Sequence, residues 1–364
     1  MRAFSYPASQ LPINFEKDVE LADRVMLIDG IGFIFELCER EQKVASKAGD
    51  LEKWISGHVV RKGVKRIQNT RDLLGAYVGL SMVNHFGHRL MVSPREPDSY
   101  VSLIIYRVPQ KSRAFRAARF KKNRNGAFVH VLRDVDYFEI CHHFVTPAEL
   151  LDYFSFRRDI LLSWDPPSTA VSESALIGQY LLEDFLSPPD PRFERAALSR
   201  GGPTACEFSF VLETLAAKIA GQDAEYADID SYAILSELAL LRRYELRALK
   251  LELRLALEAV RADRFELPYR MATRTGCGFL IVPVTSEFHD RAVTALASLS
   301  LASKYELDLG RQVGIGMWKT SEFVDVEWIF MKGSNTPDLD LEERMEFGYP
   351  FRRTSEQRLR PVFT

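Results

Sequence analysis

The chain predicts an α/β protein of more than one domain. A mixed sheet flanked by helices comes first, then a mostly helical region, then a small C-terminal α/β domain with an irregular tail. Three observations carry this. The length, 364 residues, exceeds one ordinary domain and favours two or three. Short runs rich in β-branched and aromatic residues alternate with stretches of helical spacing. Breaks rich in Pro, Gly and Ser fall at 165–169, 187–191 and 199–203. The expected divisions are 1–164, 165–265 and 266–364. An apolar content of 46% with 27% charged residues is that of a soluble globular protein. The net charge of −2 carries no global nucleic-acid signature, so any such contact must come from a local patch. Cys38, Cys141, Cys206 and Cys277 are scattered and form no C-x-x-C pair. That argues against a zinc ribbon or disulfide scaffold and for a reducing cytoplasm. Neither a signal-peptide core nor an apolar run of membrane-spanning length is visible, so no membrane partner is expected.

In chain order, residues 1–15 read as an irregular arm. Val25–Ile28 and Ile31–Phe35 then flank Asp29-Gly30, a strong signal for a two-residue hairpin turn, because both turn positions need φ > 0. Such a turn fixes the register: Ile28 meets Ile31, Met26 meets Phe33, Arg24 meets Phe35, and one step further Asp23 meets Glu36. Directly opposed carboxylates destabilise a sheet unless a cation lies between them or one is protonated. A divalent metal is the usual positive partner for carboxylate oxygens. Alternation along the strand gives Cys38 the same face. The structural alternative is that Asp23 pairs with Arg24 or Lys65 while Glu36 ends its strand in solvent.

An aspartate opening one strand and a glutamate two residues before a fixed position on the next resemble the PD-(D/E)XK nuclease superfamily, over about Glu20 to Leu74. Ala22-Asp23 matches the first motif and Glu36-Leu37-Cys38 the second, with Cys38 where the family has lysine. The resemblance implies a nuclease-like mixed sheet and hydrolysis of DNA or RNA phosphodiesters. It implies Mg²⁺ or Mn²⁺ on Asp23 and Glu36, with Glu20 or Glu16 as an outer acid. A bound metal would lower the pKa of water and polarise the phosphoryl oxygen, and a lysine would stabilise the developing charge. Some members take that lysine from the following helix. Here Lys65 fills the role best and Lys62 next, with Gln68 on the same face. Glu41-Gln42-Lys43 is a literal but more distant E-x-K. The alternative function is a catalytically decayed relative that binds nucleic acid or a protein.

Residues 51–82 read as helical, with a break between Gly57 and Gly63. His85 and His88 fall in a Gly87-containing loop. Ser99–Val108 is a core strand. Lys111 to Arg124, KSRAFRAARFKKNR, is basic without an acid. Arg113, Arg116, Arg119, Lys121, Lys122 and Arg124, with Phe115 and Phe120 interleaved, suit phosphate contact and base stacking. They equally suit a solvated segment balanced by Asp134, Asp136 and Glu139. Ala127–Leu132 and Tyr137–Val145 read as strands. Thr146, Pro147 and Glu149 open a capped helix that reaches Trp164. Leu176–Phe185 and Phe208–Ile219 are helices, and 230–261 reads as one long helix of mixed charge. Gly278–Val284, Gln312–Trp318 and Val324–Met331 are strands, with a helix over Phe288–Ser303. The short glycine pairs in this last region do not complete a dinucleotide motif, and no P-loop or serine elbow is present. The helical or C-terminal region is where a homo-oligomer contact would fall.

Overall fold

The computed structural model describes residues 4–11, 20–28, 30–40, 48–92, 100–108, 118–122, 126–164, 171–200, 207–220, 229–320, 323–334, 342–343 and 348–351. It is a mixed α/β protein whose contacts group into two compact units: Met1–Thr204 with Asp223–Ala227, and Ala205–Gln222 with Asp228–Thr364. No helix among the described residues is long and apolar enough to cross a membrane.

The first unit opens with β1 (Ser5–Pro7), β2 (Arg24–Ile28) and β3 (Ile31–Glu39). β1 pairs antiparallel with β2, so part of the arm expected to be irregular is a sheet edge. β2 and β3 form the hairpin in the register the turn dictates, from Ile28 opposite Ile31 out to Arg24 opposite Phe35. Gly30 sits at φ 83°, the left-handed conformation the reversal requires.

A continuous helical rod follows: α1 (Ala48–Trp54), a π-helical stretch (Ile55–Lys62) and α2 (Gly63–Gly75). The sequence predicts a break at the glycines, but the structure widens the helix instead. The spacing of the buried residues supplies a reason. Leu51, Ile55, Val59, Gly63 and Ile67 recur every four residues and are buried. On a 3.6-residue helix that stripe drifts around the axis. A wider π turn drifts it back, so one face stays on the sheet.

The chain then forms a hairpin of β4 (Leu80–Val83) and β5 (Arg89–Val92), where helix was expected up to residue 82. The His85–His88 stretch is its loop: Gly87 has φ 86°, and the Asn84 side chain accepts from the backbone of Phe86 and His88. β6 (Val101–Arg107) runs parallel to β3, and β8 (Phe128–Arg133) parallel to β6. β7 (Phe120–Lys122) closes the edge antiparallel to β8. The sheet order is β1-β2-β3-β6-β8-β7.

Residues after β8 correct a sequence expectation. Tyr137–Val145 is not a strand; α3 spans Asp134–His143. Its aromatic and β-branched residues carry strand propensity. Asp134 and Asp136 in its first turn complement the helix N-terminus, however, and Arg133 pairs with Asp136 three residues on. α4 (Pro147–Trp164) begins as read, with the Glu149 N–H donating to Thr146 Oγ1 and the Val145 N–H to the Glu149 carboxylate. α5 (Glu173–Leu181) and α6 (Glu194–Arg200) complete this unit.

Side chains alternate along β3. Ile34 joins the core under the rod, whereas Phe33 meets Phe154 of α4 and Phe35 meets Tyr137 of α3. Even-numbered residues of β3 therefore face α2.

The second unit contains α7 (Glu207–Ala220), α8 (Ile229–Ala239) and α9 (Arg243–Arg261). The single helix expected over 230–261 is two. The chain breaks at Leu240–Arg242, and Arg242 N–H donates to Glu245, capping α9. β9 (Tyr269–Ala272), β10 (Cys277–Val284), α10 (Ala292–Glu306), β11 (Arg311–Lys319) and β12 (Val324–Lys332) follow. The sheet order is β12-β11-β10-β9, parallel only between β10 and β11, with α10 as the crossover. The middle helices are thus no separate unit: α5 packs with α3 and α4, and α9 packs on β9, β10 and β11.

Candidate functional site

The acidic face is built where β2 meets β3. The paired register ends at Arg24 opposite Phe35. Asp23 lies one residue before β2, and its N–H donates to the Phe35 carbonyl at 3.0 Å, one residue out of that register as at a β-bulge. The expected pairing of Asp23 with Glu36 therefore does not form. Ala22 joins Val25 and Leu27 in the core under the rod, so strict alternation breaks between Ala22 and Val25. Asp23 nevertheless lies close enough to Glu36 for its charge to act on that carboxyl. The Asp23 Oδ2 accepts from the Leu37 backbone N–H at 2.6 Å. Asp23 is exposed, whereas Glu36 is 1% exposed.

The cation that meets Glu36 is Arg66 of α2. Its Nη1 donates to Glu36 Oε1 at 2.7 Å and its Nε to Glu20 Oε2 at 3.1 Å. Neighbouring turns of α2 fix the same strand entrance. Asn69 Nδ2 donates to the Glu20 carbonyl, and the Ala22 N–H donates to Thr70 Oγ1, both at 2.9 Å. Gly63 permits this approach, since a Cβ there would stand 3.3 Å from Glu36 Cγ and 2.9 Å from Ile104 Cδ1. Glu36 Oε2 is buried and, among the described residues, accepts no hydrogen bond. The Cys38 thiol lies 3.9 Å from Glu36 Oε1.

The electrostatics follow from burial. Desolvation raises the Glu36 carboxyl to about 7, against the Arg66 hydrogen bond that lowers it, and the negative charge of Asp23 adds to the rise. Arg66 responds in the opposite sense: its hydrogen bond to Glu36 holds its proton more tightly. Both hold at once, because Arg66 stays charged whatever Glu36 does, while a nearly dry carboxylate is costly even with one good partner. Burial pushes the Cys38 thiol up to about 12, so it is neither a thiolate nor a substitute for a cationic lysine. Glu20, at the solvent edge, is lowered by its hydrogen bond from Arg66.

The residues do not fit a divalent metal as they stand. Among the described residues no group of three His, Cys, Asp or Glu is placed to hold one. The space between Glu20 and Glu36 is bridged by a guanidinium, and one Asp23 oxygen is committed to a backbone N–H.

Glu36 and Glu20 are therefore brought together on Arg66, with Asp23 near enough for its charge to act on Glu36. Lys65 and Lys62 are exposed on the same rod, and the hydrogen bonds to Glu36 come from Arg66 and Cys38 instead. Glu16, the Glu41–Lys43 motif, Arg113, Arg116 and Arg124 lie outside the described residues. Lys121 and Lys122 are exposed on edge strand β7. Arg119 corrects the expectation of a surface contact: it is buried, and its guanidinium donates to the Val171 carbonyl.

Sequence reasoning missed Arg66 and a second basic stretch. Residues 53–71, KWISGHVVRKGVKRIQNTR, contain six Lys or Arg and no acid. Lys53, His58, Arg61, Lys62 and Lys65 are exposed. Arg61 and Lys62 precede Lys65 by four and three residues and share its side of the rod. At the N-terminal end the Trp54 ring stacks with His58 at 6.0 Å, and Arg40 lies over Trp54. The absence of acids over five turns was a readable signal.

A separate cluster is wholly buried. Arg157 of α4 donates to both oxygens of Glu173 of α5, at 2.7 and 3.1 Å. Tyr153 donates to Glu173 at 2.6 Å, and Arg157 lies 3.0 Å from His130 Nδ1. Its enclosure makes it a tie between helices and sheet.

Comparison with family models, with curated proteins and with solved structures returned no match.

Proposed function

We propose that this chain is a nucleic-acid-binding protein built on a PD-(D/E)XK nuclease-like domain that no longer cleaves. One observation carries the binding half: the exposed, acid-free basic side of the rod at 53–71, beside the acidic face. Phosphate backbones are recognised by such clustered cations, with counterion release as the driving term. Lys121 and Lys122 on β7 are further exposed cations of the same unit. The likeness to the superfamily is supported by an aspartate at the start of β2, a glutamate on β3 and a helix after the hairpin leading to a parallel strand. Loss of cleavage is supported by Cys38 in the lysine position and by Arg66 across the acids.

The test is fluorescence anisotropy with single- and double-stranded DNA and RNA across a salt series. Wild type binds with an affinity that falls as salt rises. Lys62→Ala/Lys65→Ala weakens binding and reduces the log–log salt slope by about 0.9 per lost duplex phosphate contact. Binding unchanged by that double variant removes this reading.

The metal-dependent nuclease reading has one observation in its favour, the unpartnered Oε2 of buried Glu36. Cleavage by wild type with Mg²⁺ or Mn²⁺, abolished in Glu36→Ala, establishes that reading instead.

A further inference from the structure

We infer that Arg66 is an internal counterion that has replaced the divalent metal between Glu20 and Glu36, so that wild type binds no divalent ion there and loss of the guanidinium opens a cation site. This deepens the non-cleaving half of the proposed function and is independent of nucleic-acid binding.

The geometry carries it. The acids converge as carboxylates do around a cation, and the cation supplied is a planar guanidinium with two donors on two different acids. Arginine suits this position because it stays charged when half-buried and its fork reaches two carboxylates at once. Its spacing on α2 is tied to Asn69 and Thr70, whose bonds to the Glu20 carbonyl and the Ala22 N–H set the rod's register against the hairpin. Arg66 is therefore held by the fold and is not a side chain that has drifted in. A divalent ion added to this face would meet the guanidinium's positive charge at close range, and Glu36 Oε1 would have to give up a 2.7 Å hydrogen bond. With Arg66→Gln, Glu36 is left with both oxygens buried and no cation. Glu20 and Asp23 stand beside it as further oxygen donors of the type hard divalent ions take.

The experiment is a Mn²⁺ titration of the full chain, without nucleic acid, followed by the loss of the free-ion EPR signal. Circular dichroism confirms that each variant is folded. Wild type and Arg66→Lys leave the signal unchanged, and Arg66→Gln takes up one Mn²⁺ per chain. Arg66→Gln/Glu36→Gln loses that uptake. Uptake of one Mn²⁺ by wild type that Glu36→Gln abolishes overturns the inference, and this arm needs no folded Arg66 variant. Equal, absent uptake by wild type and a folded Arg66→Gln overturns it as well. Because no nucleic acid is present, either failure leaves the anisotropy result standing.

Discussion

Glu36 shows how one side chain can be both well paired and costly. Its ordinary value of 4.5 rises to about 7 in the folded chain because burial penalises its charge more than Arg66 relieves it. The folded state then holds a proton that the unfolded chain has released. Stability therefore falls as pH rises from about 4.5 to 7, and Glu36 adds no slope outside that window. The full effect is on the order of 3 kcal/mol. Urea unfolding of wild type and Glu36→Gln across that range should show the wild type losing stability relative to the variant as pH rises. Parallel curves would mean that the carboxyl titrates alike in both states. The acid is legible in the sequence by hairpin register alone. Its partner is not, because Arg66 is one of six cations in an acid-free run, and only the docking of α2 selects it over Lys62 and Lys65.

Arg157 and Glu173 illustrate the same physics without exposure. Both are nearly inaccessible, and Glu173 accepts from Arg157 and Tyr153. Removing one partner strands a buried charge, so Arg157→Met should cost about 3–5 kcal/mol. Arg157→Met/Glu173→Leu should recover much of it, and thermal melts of the two variants separate the ion pair from mere packing.

Among the elements, the correct readings and the misses divide by what fixes each one. The hairpin is set by local turn chemistry, and α4 by a capping box inside its own first turn, so both are readable from a few adjacent residues. Tyr137–His143 became a helix because its first-turn aspartates outweigh strand propensity in the residues that follow. The π-helical widening arises from the need to keep a four-residue stripe on the sheet, which is a demand made by the partner surface. Glycine at 178 is likewise required by a neighbour. A Cβ there would stand 1.9 Å from the Phe193 carbonyl oxygen and 3.1 Å from the Ala197 nitrogen. Backbone cannot yield as a side-chain end can. Gly178→Ala should therefore destabilise by about 2–3 kcal/mol despite its gain in helix propensity.

At the scale of the whole molecule, two units with separate cores predict unfolding that is not a single two-state transition. Gly314 offers a matched probe in the second unit, where a Cβ would lie 2.4 Å from Ser300 Oγ and 2.7 Å from Ile329 Cγ1. In differential scanning calorimetry, Gly178→Ala should lower one transition and Gly314→Ala the other. One transition shifted by both variants would show the units to be a single cooperative body.

By itself the sequence determined the hairpin and its register as far as Arg24 opposite Phe35, the parity that puts Glu36 and Cys38 on one face of β3, most strands of both sheets, and the capped start at Thr146. These depend on turns, alternation and caps, whose causes lie within a few residues along the chain. Tertiary structure alone decided that Arg66 is the cation on the acids and that Arg119 points inward. It also decided that the middle helices divide between two units. Each of these is a choice among near-equivalent residues or faces, settled by which surface packs against which, and that information is spread over segments distant in sequence.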